Sequence, residues 1–159
     1  MMWSMIEAGA LETGRTINRD RFYLSALTTM VVLDEGEAID SERVKHECGA
    51  FAMASVHYAY DQFRNFGHQP PNYLAGIWDE YTALLESFPE ERRHQRIHAG
   101  HNCWVIPEEE KFVTAETISA SCLVGTQDQL IEQLQSLEAQ GLNQVMLLPP
   151  FDPRYDVIN

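Results

Sequence analysis

The pattern of apolar and polar residues predicts one well-defined helix near the end of the chain. Thr126 can act as an N-cap, and Gln129 three residues later completes a capping-box pattern. Apolar residues then recur at helical spacing, while the other face is polar. These apolar residues are Leu130, Leu134 and Leu137. We therefore expect a helix over residues 127–140 with a buried apolar face.

A strand is predicted directly after this helix. Gly141 fits the position beyond a helix end where a left-handed backbone is needed. The run Val145 to Leu148 is apolar without alternation, which is typical of a strand covered on both faces, and the Pro-Pro pair after it ends the strand. A short loop from a helix into such a strand indicates a parallel α/β sheet or barrel.

The remaining residues repeat these two patterns. The stretch "RFYLSALTTMVVL" is rich in β-branched and aromatic residues and predicts a strand over residues 22–33. Helical spacing predicts helices over residues 41–66 and 72–88, and "EAGALETGR" is typical of a helix end, with Gly14 as its stop. The stretch "PEERRHQRIHAGHNCW" is a polar connector or short helix. The predicted fold class is α/β, as one domain over residues 1–159.

This element order contains too few strands. Two strands cannot close a parallel sheet, and parallel sheets normally hide both faces. The apolar runs at residues 27–33 and 145–148 therefore need partners that this chain does not supply. We expect the chain to be part of something larger, and not a working monomer but a homo-oligomer that joins the sheets of its copies.

Composition narrows the classes of function and partner. The sequence is 45% hydrophobic and carries a net charge of -13, which disfavours binding to nucleic acid or to an anionic membrane. It contains neither a membrane-spanning apolar run nor a signal-peptide pattern, so the expected compartment is the cytoplasm. Its three cysteines lack paired spacing, which favours reduced thiols: Cys48, Cys103 and Cys122.

Three stretches carry a resemblance to a known family. In order they are "TTMVVLDEGEAIDSERVKHECGAFAMASVHYAYDQF", "HAGHNCWVIPEEEKFVTAETI" and "VGTQDQLIEQLQSLEAQGLNQVMLLPPFDPRY". Together they resemble the C-terminal part of luciferase-like monooxygenases, a group that includes deazaflavin-dependent reductases such as methylenetetrahydromethanopterin reductase. The resemblance implies a partial (β/α)8 TIM barrel, in which this chain is similar to the seventh and eighth βα units with a helical insertion, and the first six strands are missing.

The resemblance also implies a chemistry. The parent family uses FMN or a deazaflavin coenzyme to deliver hydride or activate dioxygen at a small-molecule substrate. Loops of the middle strands are expected to hold the flavin phosphate. We therefore expect this chain alone to be incomplete for catalysis and to bind flavin weakly or not at all. The alternative is a non-enzymatic remnant or a self-associating assembly module.

Five residues are candidates for lining a substrate pocket on this interpretation: His57, His98, His101, Pro149 and Asp152. The histidines match positions where the family often carries histidine, and an imidazole near a flavin could orient substrate or relay a proton. The alternative for each histidine is a purely structural role as a hydrogen-bonding group. We assign no catalytic acid or base and no cofactor-binding residue.

A metal site is the rival interpretation of the stretch "HQRIHAGHNC". It places His94, His98, His101 and Cys103 within ten residues, a set of nitrogen and sulfur ligands that a metal could use. The chain has neither a His-Glu-x-x-His motif nor a Cys-x-x-Cys pair, so we predict no metal ligand. The acidic stretch "PEEEK" is most simply a solvated turn.

Overall fold

The structure is a computed structural model that describes residues 2–148, apart from the side chain of Met2. It is mixed α/β, as the sequence predicts. The helices and strands of this part of the chain are α1 (Met2–Glu12), β1 (Ser25–Thr28), β2 (Met30–Val32), α2 (Glu42–Phe66), α3 (Trp78–Glu86), α4 (Arg93–Ile97), α5 (Ala115–Ser121), β3 (Leu123–Gly125), α6 (Gln127–Ala139) and β4 (Gln144–Leu147). Turns of 3-10 helix occur at Arg19–Arg21, Asn72–Leu74, Glu90–Arg92 and Pro107–Phe112.

The strands form two parallel pairs, β1 with β4 and β2 with β3, and only Thr29 separates β1 from β2. We call residues 25–32, which comprise both inner strands, the central strand. The backbone carbonyl of Thr28 accepts from Leu148 N–H at 2.8 Å, and the next carbonyl, that of Thr29, accepts from Leu123 N–H at 2.9 Å. Because successive carbonyls of a strand point to opposite sides, β3 and β4 lie on opposite edges of the central strand.

The prediction of only two strands is wrong. β3 is a third strand, and α5 directly precedes it. A strand of three residues is too short to show alternation or an apolar run, so its pairing with β2 comes from the tertiary structure. The strand predicted over residues 22–33 is also shorter, beginning at Ser25 and interrupted at Thr29.

The predicted helices are confirmed, with changes at their ends. In α2, the Ser41 hydroxyl accepts from Val44 N–H at 3.2 Å, and Gly67 ends the helix with φ +68°. The predicted capping box of α6 is present. The helix predicted over residues 72–88 is divided, because only a 3-10 turn forms before α3 begins at Trp78.

The core lies between α2, α3, α5 and the sheet. Its largest fully buried apolar side chains are Tyr81, Phe112, Met53, Leu74, Leu85, Ile97 and Ile118. All seven belong to the residues between β2 and β3, which therefore form a substantial helical layer against the strands. Among the described residues, no helix is both long and apolar enough to cross a membrane.

The last strand is not covered on both faces, so that prediction is wrong for this chain by itself. Met146 and Leu147 of β4 are 42% and 39% exposed, and Leu27 of the neighbouring strand is 48% exposed. On α6, Leu130 is buried but Leu134 is only half-buried. The physical reason is that the described residues place no layer over this end of the sheet, so its apolar side chains face solvent.

Candidate functional site

Three histidines from two distant parts of the chain meet beside α2. His57 lies within α2, whereas His98 and His101 lie in the loop after α4. One ring nitrogen of each lies within 4.8 Å of the other two, and the Nδ1 atoms of His57 and His101 are 3.4 Å apart. The rings of His57 and His101 are stacked, with centroids 5.7 Å apart. We call these three residues the histidine cluster.

Tight turns after α4 place two of these histidines side by side. The backbone N–H of His101 donates to the carbonyl of His98 at 3.2 Å, and Trp104 N–H donates to the carbonyl of Gly100 at 2.9 Å. Gly100 has φ +70°, and a Cβ at this position would lie 2.4 Å from the Trp104 carbonyl oxygen. Both the backbone conformation and the lack of space therefore require glycine between the two histidines.

A buried carboxylate closes the inner side of the cluster. His57 Nε2 lies 3.1 Å from Oε2 and 3.3 Å from Oε1 of Glu109, and both side chains are 1% exposed. Glu109 belongs to the stretch predicted as a solvated turn, so for this residue the prediction is wrong. A proton on Nε2 directed at Glu109 leaves the lone pair of His57 Nδ1 facing His101.

The outer side of the cluster faces solvent. His98 Nε2 lies 3.0 Å from Oδ2 of Asp61, and these side chains are 42% and 28% exposed. Asp61 follows His57 by one helical turn, so both point from the same face of α2. The exposed ring of Tyr58 lies nearly perpendicular to the ring of His101, with centroids 5.3 Å apart. The cluster therefore has a closed carboxylate wall and an open side.

Electrostatics favour a neutral ring at His101. Burial lowers the pKa of His101, and the neighbouring rings of His57 and His98 lower it further because two imidazolium charges would repel. At neutral pH His101 is therefore mostly uncharged and presents a lone pair. A neutral imidazole is the form that binds a metal ion or accepts a proton.

The cluster does not lie at the carboxyl ends of the strands. Arg43, at the start of α2, donates to the carbonyl of Val32 at the end of β2, at 3.0 Å. Ser55, three turns later, hydrogen-bonds Ser121 at 2.7 Å, just before β3 begins. α2 thus runs antiparallel to the strands, and His57 follows Ser55 on the side of the amino ends of β2 and β3.

The structure brings together some of the candidate residues and separates others. His57, His98 and His101 form one cluster, whereas Pro149 and Asp152 lie outside the described residues. His94 and Cys103, from the rival metal set, are exposed and not part of the cluster. Sequence reasoning missed Glu109, because no local spacing connects it to a histidine 52 positions earlier in the chain.

A separate groove lies at the carboxyl edge of the sheet. It has a volume of about 520 Å³ and is lined in part by Leu33, Val124, Gly125 and Gln129. Gly125 ends β3, and a Cβ there would lie 3.0 Å from the Gln129 side chain. We call this the carboxyl-edge groove.

Comparisons of the chain with protein-family models, curated proteins and solved structures found no match.

Proposed function

We propose that this chain forms the last two βα units of a flavin- or deazaflavin-dependent oxidoreductase of the luciferase-like kind. The observation that supports this proposal is the parallel sheet with an uncovered apolar end. The central strand and β4 are parallel neighbours, as the seventh and eighth strands of a barrel should be. Parallel strands are rarely left open to water, so Met146 and Leu147 call for further strands or helices.

The proposal requires the other edge of the central strand to pair with a different strand. In a closed barrel that edge pairs with the sixth strand, but in this structure β3 pairs with it. A complete barrel therefore requires β3 to leave residues 29–33 when the preceding units are present. The amide of Leu33, which donates to the Gly125 carbonyl at 2.9 Å, would report this exchange of partners.

On this proposal the substrate and cofactor lie at the carboxyl-edge groove, because barrels bind ligands at the carboxyl ends of their strands. Leu33 and Val124 would supply an apolar wall and Gln129 a polar group. On this proposal the first six units would come from residues before Met1, and with them the loops that hold the phosphate. The isolated chain would then bind the cofactor weakly. The compartment we propose is the cytoplasm.

The test begins with the coding sequence immediately before Met1. It should encode alternating strands and helices, and its longer product should bind FMN or a deazaflavin and absorb in the near-ultraviolet and blue. The 159-residue chain should bind the same cofactor at least about 100-fold more weakly, a difference of about 2.7 kcal/mol. The proposal is overturned if neither product binds either cofactor, or if the upstream sequence encodes no such pattern.

A second candidate is an assembly module that associates with its own copies. The exposed apolar side chains Leu27 and Met146, which are partners in the register, and Leu147 on the opposite face support it, because uncovered apolar sheet surface is a common interaction surface. Sedimentation of the purified chain, combined with flavin titration and the upstream sequence, distinguishes the candidates. A stable dimer or larger assembly that binds no flavin, together with an upstream sequence that encodes no barrel units, favours the module.

A further inference from the structure

We propose that His57, His98 and His101 bind one divalent transition-metal ion, Zn²⁺ by preference, with a fourth coordination position open to solvent. This site is independent of the proposed oxidoreductase function, because it lies away from the carboxyl-edge groove. It replaces the set formed by His94, His98, His101 and Cys103. The proposed site differs from that set because α2, which lies earlier in the chain, supplies His57 as the most buried ligand.

The distances suit zinc. Zinc–nitrogen bonds of about 2.0–2.1 Å in a tetrahedron place two nitrogen ligands about 3.4 Å apart. The Nδ1 atoms of His57 and His101 are separated by 3.4 Å. The third ring nitrogen lies within 4.8 Å of both, and it belongs to His98, whose exposed side chain can rotate towards the ion. The pair of Nδ1 atoms is thus already spaced for one ion.

Carboxylates behind the histidines support the same inference. Metal-binding histidines usually donate their second N–H to a carboxylate or carbonyl, which fixes the tautomer and makes the ligand nitrogen more basic. Glu109 occupies this position for His57 and Asp61 for His98. Their two negative charges also balance the charge of a divalent cation, although only the histidines are ligands.

A purely structural role explains less of this arrangement. A His57–Glu109 hydrogen bond stabilises the core without any need for two further histidines beside it. The contact between His57 and His101 joins the same atom of each ring, so at most one proton can lie between the two lone pairs. A hydrogen bond between these atoms uses only one of the two lone pairs, whereas a cation coordinated by both nitrogens uses both. The open side next to His98 provides the path for the ion and the place for a bound water.

Zn²⁺ is the ion that we expect to occupy this site in the cell. Three imidazoles also suit Co²⁺, Ni²⁺ and Cu²⁺, and affinity for nitrogen sites rises along that series. Co²⁺ is the useful probe, because its visible absorption reports a four-coordinate site. Three histidines with one open position is the arrangement found in catalytic zinc sites.

The experiment titrates the metal-free full chain with Co²⁺ and then displaces it with Zn²⁺. We expect one ion per chain and the intense visible absorption of four-coordinate cobalt. His98→Ala and His101→Ala should each weaken zinc binding about 100-fold or more, and both residues are accessible enough for the fold to survive, which circular dichroism checks. The matched controls His94→Ala and Cys103→Ser should bind zinc as the unaltered chain does.

Each result of these titrations supports or overturns the proposed metal site. Loss of zinc binding in His98→Ala and His101→Ala, with both controls unchanged, supports the site. Equal loss in His94→Ala or Cys103→Ser overturns it in favour of a local loop site. Absence of the cobalt absorption, or binding that none of the four substitutions changes, overturns it as well and leaves the histidines a structural network.

Discussion

The buried pair of His57 and Glu109 provides the sharpest test of how the site is held together. Both side chains are 1% exposed, and Nε2 lies within 3.3 Å of both carboxylate oxygens. Replacement of Glu109 by Leu removes the acceptor and leaves His57 without its partner in the core. Breaking such a buried pair from one side costs about 3–5 kcal/mol. We therefore expect Glu109→Leu and His57→Leu each to lower the free energy of unfolding by that amount.

The double substitution separates the pair from its surroundings. When both partners become apolar, neither position of the pair keeps an unpaired polar group, so the double variant should be more stable than either single variant and within about 1–2 kcal/mol of the unaltered chain. Urea unfolding followed by circular dichroism, with a chelator present so that metal ions do not contribute, measures all four proteins. For a chain of this size, the single variants should melt about 6–20 °C lower.

A neighbouring residue supplies the control. Glu108 precedes Glu109 but lies on the surface, where its partner is Arg96 at 2.8 Å. Glu108→Leu should change the free energy of unfolding by less than about 1 kcal/mol. The reasoning fails if Glu109→Leu is as mild as Glu108→Leu, or if the double variant loses the sum of the two single effects.

The other predictions concern backbone conformation, pH and the last helix. Gly100→Ala should destabilise the chain by about 1–3 kcal/mol more than Gly67→Ala in urea unfolding, because both positions have positive φ but only the first would clash; equal effects would contradict the contact. The hydrogen bond from the Arg43 guanidinium lowers the pKa of Glu37 from 4.5 to about 2. The stabilisation it provides is therefore complete above pH 4.5 and disappears towards pH 2, so the stability difference between the unaltered chain and Glu37→Gln should close over that range in acid titrations; a constant difference would refute this. Leu130→Asp should cost several kcal/mol, of the order expected for an unpaired buried charge, and Leu134→Asp clearly less, because only the first is fully buried; thermal melts with the reverse order would refute it.

The sequence alone predicts the regular elements whose signals are local. The capping box at Thr126 and Gln129 and the glycine at position 141, which has φ +95°, mark the bounds of α6 to within a residue. α2 is predicted equally well from its helical spacing. These signals act between residues three or four positions apart, so the chain expresses them whatever surrounds it.

Packing between distant residues decided the rest. The sheet extends to a third strand because Leu123–Gly125 finds a partner about 90 positions earlier, and too few residues take part for a sequence pattern to show it. The candidate site also depends on contacts between residues that are distant in sequence. Two of its histidines are close in sequence, but His57 and Glu109 join them only because α2 packs against the turn at Pro107–Phe112. An acidic run such as residues 108–110 predicts a solvated surface, because a carboxylate is rarely buried without a partner. The partner of Glu109 is His57, which is distant in sequence, so only the tertiary structure shows that this carboxylate is buried.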